Sequence, residues 1–265
     1  MKNVHLLVID PQVDFCDPNG SLFVPGADAD MSRAASMVRR LKDKVSAIHV
    51  TLDSHHTVDI AHPIFWKDAN GAMPNPFTII TASDVEDGTW TTKTPSHLTR
   101  ALDYVRSLES NGRYPLCIWP PHCLIGSKGA NVVPELFEAL VEWENRFKVV
   151  NYVTKGSNPW TEHYSAIQAD VPDPADVTTQ LNTGLIKVLE DADEIIIMGE
   201  ALSNCLKFTV EDIANNFADE SYVGKFTLLE DATSSIQIVE HEGTKFIEGM
   251  VKRGMQVSTT KDIFS

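Results

Sequence analysis

The chain has 265 residues, 43% of them hydrophobic and 22% charged, which is the composition of a folded globular protein and excludes a disordered, collagenous or disulfide-stapled chain. Its 37 acidic and 22 basic side chains give a formal charge of -15, which repels phosphate backbones and anionic lipids, so we expect neither nucleic acid nor membrane as a partner. With no apolar run near the roughly 20 residues that cross a bilayer and no signal-peptide pattern, we predict a cytoplasmic protein with reduced cysteines.

Strand and helix patterns alternate along the chain. Runs of β-forming residues predict six strands, over residues 4–9, 45–52, 148–153, 194–198, 225–229 and 256–259. Apolar residues at helical spacing predict helices, most clearly over residues 31–41, 96–108, 182–189, 205–217 and 236–253. This alternation indicates an α/β fold, a doubly wound three-layer sandwich with a six-stranded, mainly parallel sheet.

The stretch from His55 to Pro121 departs from this alternation, because it holds one helix candidate within loops rich in Pro, Thr, Asp and Gly. We interpret residues 56–114 as an insertion over the carboxyl edge of the sheet, within a single domain of residues 1–265. Phe65 and Trp66 of this insertion are expected either to cap a pocket or to contact another subunit.

Reactive side chains follow several of the predicted strands, where open α/β sheets place their sites. Asp10 follows the first strand, Lys155 the third, and Cys205 stands near the start of the helix after the fourth. A helix N-terminus lowers the pKa of a thiol and can hold a developing oxyanion. Alternatively, Asp10 is a turn residue, Lys155 a surface charge and Cys205 a small buried hydrophobe.

A second group suggests a metal site. Asp53 and His55 are two positions apart, so in extended backbone their side chains point to the same side and can bind one cation. A carboxylate and a neutral imidazole suit Zn, Fe or Mn. His122 is the best third ligand, while His56 and His62 compete with it and spacing does not choose among them.

Several sequence blocks occur in the order known from one family. They are Asp10-Pro11-Gln12-Val13-Asp14-Phe15-Cys16, Leu52-Asp53-Ser54-His55, Trp119-Pro120-Pro121-His122-Cys123, Thr154-Lys155-Gly156, and Gly199-Glu200-Ala201 leading to Cys205. Over about the first 210 positions the chain therefore resembles nicotinamidases of the isochorismatase-like cysteine hydrolase superfamily.

This resemblance implies roles for particular residues. It implies a catalytic triad of Asp10, Lys155 and Cys205, and a divalent ion bound by Asp53, His55, His122 and waters. It also implies an oxyanion hole from the backbone N–H groups of Ala201 and Cys205, with a cis peptide between Glu200 and Ala201. Phe15 and Trp119 would sandwich a flat aromatic ring.

The activity implied by the resemblance is that of a metal-containing cysteine amidohydrolase of NAD salvage, which converts nicotinamide or a related aromatic carboxamide to the acid and ammonia through a Cys205 thioester. Zinc is the expected metal, with iron or manganese as alternatives, and a homo-oligomer is expected. Two other readings stay open. One is an isochorismatase-like or carbamoyl-cleaving hydrolase, and the other is a catalytically silent binding protein, which Ser203-Asn204 before Cys205 would fit because the family motif differs there.

Overall fold

One six-stranded parallel sheet forms the centre of the computed structural model, which describes residues 2–265. Its strands are β1 (Val4–Ile9), β2 (Ala47–Asp53), β3 (Asn151–Lys155), β4 (Glu194–Gly199), β5 (Phe226–Leu229) and β6 (Gln256–Ser258). They lie in the spatial order β6-β5-β4-β1-β2-β3, and every neighbouring pair is parallel. The predicted α/β fold with a six-stranded sheet is confirmed.

Besides short helical turns over Val13–Cys16 and Ala82–Glu86, residues 2–265 form six helices of eight or more residues. They are α1 (Ala27–Leu41), α2 (Leu98–Ser110), α3 (Pro134–Glu144), α4 (Thr183–Glu190), α5 (Lys207–Asn216) and α6 (Glu240–Arg253). From the centre of the sheet, α1 leads outward from β1 to β2 and α5 leads the opposite way from β4 to β5, so right-handed crossovers place them on opposite faces. Within residues 2–265, no helix has both the length and the apolar character needed to span a membrane.

Apart from shifts of one or two residues, four elements differ from the sequence-based prediction, and two of them are helices α1 and α6, which begin four residues from their predicted starts. Helix α3 was not predicted, although Pro134 stands in its first turn and its buried face carries Leu136, Leu140 and Trp143 at helical spacing. Strand β3 begins at Asn151 rather than at residue 148, because the Glu144 carboxylate accepts a hydrogen bond from the Val150 N–H and holds the preceding segment outside the sheet. The strand also ends two residues later than predicted, so that Lys155 is its last residue.

The ends of β1 and β4 lie unusually close together at the centre of the sheet. Gly199, the last residue of β4, has φ 116°, and a Cβ there would lie 2.1 Å from the carbonyl oxygen of Ile9. Only glycine tolerates this conformation and this contact. Strand order reverses between β1 and β4, and that reversal opens a crevice beyond the carboxyl ends of the strands.

The segment 56–114 contains α2 and two short antiparallel pairings, one internal and one with Leu116–Cys117. Phe65 and Trp66 are buried within it, where Phe65 packs against Trp160 and the Trp66 Nε1 donates a hydrogen bond to the carbonyl oxygen of Ile60. The expectation that these two rings contact another subunit is wrong, because neither is exposed. They do not line the pocket described below.

Candidate active site

Three reactive side chains meet in the central crevice. The ammonium of Lys155 lies 3.0 Å from Oδ2 of Asp10 and 3.5 Å from Sγ of Cys205. All three residues are buried, so their interactions are only weakly screened by solvent. The structure therefore brings together the carboxylate, ammonium and thiol that the sequence places near different strand ends.

Asp10 is held in place by Thr51, which stands on the neighbouring strand β2. The Thr51 hydroxyl donates a hydrogen bond to Oδ1 of Asp10 at 2.5 Å and accepts one from the Asp10 N–H at 3.0 Å. Asp10 adopts a left-handed conformation with φ 42°, which turns the chain out of β1. Burial raises the pKa of Asp10 even though Lys155 opposes the shift, so this carboxylate is a stronger base than an exposed one.

Cys205 lies in a π-helical turn, Leu202–Leu206, that precedes α5 rather than in the first turn of an α-helix. Burial raises the pKa of the thiol well above its ordinary value, and the carboxylates of Asp10 and Asp53 add to the rise while Lys155 opposes it. The pKa lowering expected from a helix N-terminus is thus outweighed. In the resting site Cys205 is a thiol beside a base, and it must give up its proton to become a nucleophile.

Asp53, His55 and His122 form a compact cluster, with one potential ligand atom from each lying within 4.8 Å of the other two. The Nε2 atoms of His55 and His122 lie 2.9 Å and 3.4 Å from Oδ2 of Asp53. On the far side of each ring, the Nδ1 of His55 lies 3.0 Å from Oδ2 of Asp59, and that of His122 lies 2.8 Å from the Pro120 carbonyl oxygen. A proton on each Nδ1 leaves Nε2 free for a metal, as is usual for histidine ligands.

The electrostatics of this cluster also suit a divalent cation. Burial alone would lower the pKa of His55, but the carboxylates of Asp53 and Asp59 raise it well above its ordinary value. Burial would raise the pKa of Asp53, yet His55 and Lys155 hold it well below its usual range. Positive charge is therefore favoured between these ligands, and a metal ion would displace the proton from the His55 Nε2. The residues fit a divalent metal.

The two competing histidines lie in different places. His62 is buried beside the cluster, with its ring centroid 5.3 Å from that of His55, but it is outside the group of three. Burial lowers the pKa of His62 to about 4, so its ring is neutral, and its Nε2 has no hydrogen-bond partner within residues 2–265. His56 is exposed. His122 is the third member of the cluster.

A pocket opens between Cys205 and the metal-type cluster, as we call the group of Asp53, His55 and His122. Phe15 and Trp119, the predicted ring contacts, both line it, and the Trp119 Nε1 donates a hydrogen bond to the Tyr164 hydroxyl at 3.1 Å. Ala201 also lines the pocket, and its backbone N–H has no acceptor among the residues that the structure describes. The peptide bond between Glu200 and Ala201 is cis.

The first sequence block organises the metal side of the pocket. Gln12 forms paired hydrogen bonds with the backbone of Asp53, donating to its carbonyl oxygen at 2.6 Å and accepting from its N–H at 2.7 Å. Asp14 accepts a hydrogen bond from the N–H of Cys123 at 2.6 Å and so fixes the residue after His122. These two residues position two of the three metal-type ligands through the backbone.

Gly156 borders the same cluster from the end of β3. Its φ is 84°, and a Cβ at this position would lie 2.7 Å from Oδ1 of Asp53 and 3.3 Å from Cε1 of His55. Any larger residue would therefore push into the cluster while also adopting a strained backbone conformation.

Thr51, Asp59 and Glu162 are site residues that the sequence analysis missed. Thr51 lies inside an apolar strand, where a polar side chain facing a buried position was the available signal. Glu162 is buried and lines the pocket, and burial raises its pKa to about 8. No local pattern distinguishes Asp59 or Glu162 from the many other acidic residues of this chain.

The chain was compared with known proteins. No protein-family model matches it. It is 27% identical to a nicotinamidase of Saccharomyces cerevisiae over 233 residues, which cover 87% of this chain and 88% of the relative. The structure is similar to that of the yeast nicotinamidase bound to the inhibitor nicotinaldehyde, with a TM-score of 0.66, 22% identity and coverage of 97% of this chain and 99% of that one. It also resembles the pyrazinamidase of Pyrococcus horikoshii in complex with zinc, with a TM-score of 0.57, 22% identity and the same two coverages.

Proposed function

We propose that this chain, a nicotinamidase-like protein of the isochorismatase-like superfamily, hydrolyses nicotinamide or a closely related aromatic carboxamide to the acid and ammonia. The observation that carries the proposal is the position of Lys155 between Asp10 and Cys205, beside a pocket that also holds a three-residue metal-type cluster. The Saccharomyces cerevisiae relative, a nicotinamidase, supports this choice of substrate, and the activity would place the protein in NAD salvage.

The reaction begins with the thiol of Cys205. As the sulfur attacks the amide carbonyl carbon, the thiol proton moves to the Asp10 carboxylate and the carbonyl π electrons move to the oxygen. The raised pKa of Asp10 favours this transfer, because the carboxylate holds the proton more firmly than an exposed one would. The ammonium of Lys155, 3.5 Å from Sγ, stabilises the sulfur while it carries negative charge.

The tetrahedral intermediate carries its charge on the former carbonyl oxygen. We assign the backbone N–H groups of Ala201 and Cys205 as donors to this oxyanion, each worth about 3 kcal/mol by comparison with other hydrolases. Asp10 then protonates the departing nitrogen, so ammonia leaves and a thioester on Cys205 remains. Asp10 next takes a proton from water, the resulting hydroxide attacks the thioester, and the acid is released as sulfur recovers its proton.

Asp53, His55 and His122 would hold a divalent ion, which supplies a Lewis acid that can anchor a ring nitrogen of the substrate. Zinc is our first choice, since one carboxylate and two imidazoles suit it and the related pyrazinamidase structure contains it, while iron and manganese accept the same ligands. Metal analysis of protein purified without chelators is expected to give about one divalent ion per chain. The Phe15 and Trp119 rings would enclose the aromatic ring of the substrate.

Ammonia release from nicotinamide, pyrazinamide and an aliphatic amide tests the proposal. We expect hydrolysis of the aromatic amides by the wild-type protein and none above background by Cys205→Ala. Cys117→Ala is the matched control, because Cys117 is partly buried but does not line the pocket, and it should retain activity. Equal release by wild type and Cys205→Ala would contradict the mechanism.

We further propose that residues 1–265 form a single domain that acts in the cytoplasm as a homo-oligomer. Phe147 and Val149 are exposed apolar side chains just before β3, which lies at an edge of the sheet, and a second chain packed there would remove both from solvent. Light scattering of the purified protein is expected to give a multiple of the chain mass, and a Phe147→Glu variant should shift it toward the monomer.

A further inference from the structure

Glu162 is a buried carboxyl group in the pocket that the proposed reaction does not use. One oxygen, Oε1, accepts a hydrogen bond from the His163 N–H at 3.1 Å. The other, Oε2, is buried and has no hydrogen-bond partner within residues 2–265. The backbone is fixed as well, because the Glu162 N–H donates to the Tyr104 hydroxyl at 2.9 Å. The side chain is therefore anchored on one side with a free acceptor on the other.

A buried carboxyl oxygen without a partner is unfavourable, and Glu162 in its carboxylate form, which a nearby cation favours, calls for a donor that the protein itself does not supply. The charged neighbours do not supply this donor. Asp53, Asp59 and Asp170 add negative charge near Glu162, and His55 is the main positive neighbour. A cation with bound water would supply both positive charge and strong hydrogen-bond donors.

The neighbouring cluster offers a place for such a cation. Asp53 and His122 line the same pocket as Glu162, and together with His55 they form the three-ligand group. Glu162 lines the pocket beside that group but is not one of its three members. An ion held by three protein ligands has further coordination positions, which water fills. Side chains that do not touch the ion themselves commonly hold its ligands in place by hydrogen bonds.

We propose that Glu162 is a positioning residue whose Oε2 accepts a hydrogen bond from a water bound to a divalent ion on Asp53, His55 and His122. This inference rests on the metal site of the proposed function. Asp59 and the Pro120 carbonyl orient the two histidine ligands, and Glu162 performs the corresponding task for the water on the open side of the ion.

The Glu162→Gln variant tests this role without a change of shape. The His163 N–H will retain the amide oxygen of the glutamine, so the NH₂ group will face the metal side and meet another donor. We expect a 10- to 100-fold loss of Zn²⁺ affinity, the usual effect of removing such a partner, measured on metal-stripped protein by competition with a chromogenic chelator. Glu200→Gln is the matched control, because Glu200 is equally buried and also has an unpartnered oxygen, but it does not line the pocket.

The outcomes separate this inference from the proposed function. If wild type binds Zn²⁺ and Glu162→Gln binds it within twofold, the inference is overturned while the metal site stands. If wild type binds no Zn²⁺, both the metal site and the inference are lost.

A Co²⁺-loaded sample adds a readout that a purely structural role would not move, because its visible spectrum reports the ligands and waters around the ion. We expect the spectrum of Glu162→Gln to change and that of Glu200→Gln to match wild type. Should Glu162→Gln fail to fold, Glu162→Asp keeps the charge but shortens the reach, and an unchanged spectrum and affinity in that variant would contradict the proposal. A metal-loaded crystal structure with a Glu162 oxygen directly on the ion would also overturn it.

Discussion

Lys155 and Asp53 form a buried ion pair, with Nζ 3.0 Å from Oδ1, and the same ammonium lies 3.0 Å from Oδ2 of Asp10. The Lys155 side chain thus contacts both Asp10, the proposed proton acceptor, and Asp53, a proposed metal ligand. The two carboxylates depend on a shared positive charge, so the thiol side and the metal side of the pocket are electrostatically coupled.

Replacement of Lys155 by Met should disable both sides of the pocket. Asp10 and Asp53 would face each other as buried acids without their common cation, and removing one partner of a buried ion pair typically destabilises a protein by about 3–5 kcal/mol. We expect loss of amidase activity, because proton transfer from Cys205 becomes less favourable, and a lower urea midpoint in unfolding experiments. Lys187→Met, at an exposed position on α4, is the control and should leave both unchanged.

Thr51→Val should slow catalysis while leaving the pocket shape almost intact. The variant removes the hydroxyl that donates to Oδ1 of Asp10, and a lost hydrogen bond to a buried charged group is worth about 1–3 kcal/mol. We expect kcat to fall about tenfold, with the Asp10 limb of the pH profile displaced upward because the pKa of that carboxyl rises further. Thr51→Ser retains the hydroxyl and should restore most of the rate. Equal losses in both variants would argue for packing instead of the hydrogen bond.

Stability should fall in mild acid because of a buried histidine pair remote from catalysis. Nε2 of His49 lies 3.2 Å from Nδ1 of His5, and burial, with some repulsion from His5, lowers the pKa of His49 to about 4. In the unfolded chain the His49 side chain has a pKa of about 6.5, so between pH 6.5 and 4 it binds a proton there, whereas in the folded chain it stays neutral. The His49 contribution to stability is therefore present above pH 6.5 and is lost as the pH falls from there toward 4.

Urea unfolding between pH 4 and 8 checks this dependence. His49→Gln should show a shallower decline of the free energy of unfolding below pH 6.5 than wild type. His241→Gln, at an exposed position on α6, should keep the wild-type slope. Parallel curves for wild type and His49→Gln would exclude His49 as the source, leaving the other buried histidines with a lowered pKa, His5, His62 and His163, to account for the decline.

Gly156→Ala should weaken metal binding through a direct clash. The added methyl would lie 2.7 Å from Oδ1 of Asp53, where neither the strand end nor the buried carboxylate can easily move. Gly112→Ala separates this effect from backbone strain, since Gly112 has a similar φ of 76° and a methyl added there would meet nothing within 4 Å. Both variants should lose about 1–3 kcal/mol of stability. Only Gly156→Ala should lose Zn²⁺ affinity in a chelator competition, and equal affinities would contradict the proposed clash.

The sequence allowed the sheet, most of its helices and the strand-end residues to be predicted, because continuous apolar runs and the polar residues that end them are local signals. Asp10 and Asp53 stand at such ends. The roles of Thr51 and Glu162 could not be predicted, since each depends on a contact made by a segment distant in the chain.

The protonation state of Cys205 shows a different limit. A helix start suggested a lowered thiol pKa, but the burial of the thiol beside two carboxylates has the larger effect and raises it. The boundary of β3 was misjudged for a similar reason: Val149 is apolar and β-forming, yet it is 82% exposed, because the Glu144 carboxylate fixes the backbone at Val150 outside the sheet.

Strand β3 pairs with β2 alone and forms one margin of the sheet, yet it carries the lysine on which both halves of the pocket rely. Marginal strands open more readily than central ones during native-state fluctuations. We therefore expect β3 to unfold locally, and Lys155 to leave the pocket, before the rest of the molecule unfolds. Amide hydrogens of Val153 and Lys155 would then exchange with solvent faster than those of β1, and heat inactivation would precede global melting.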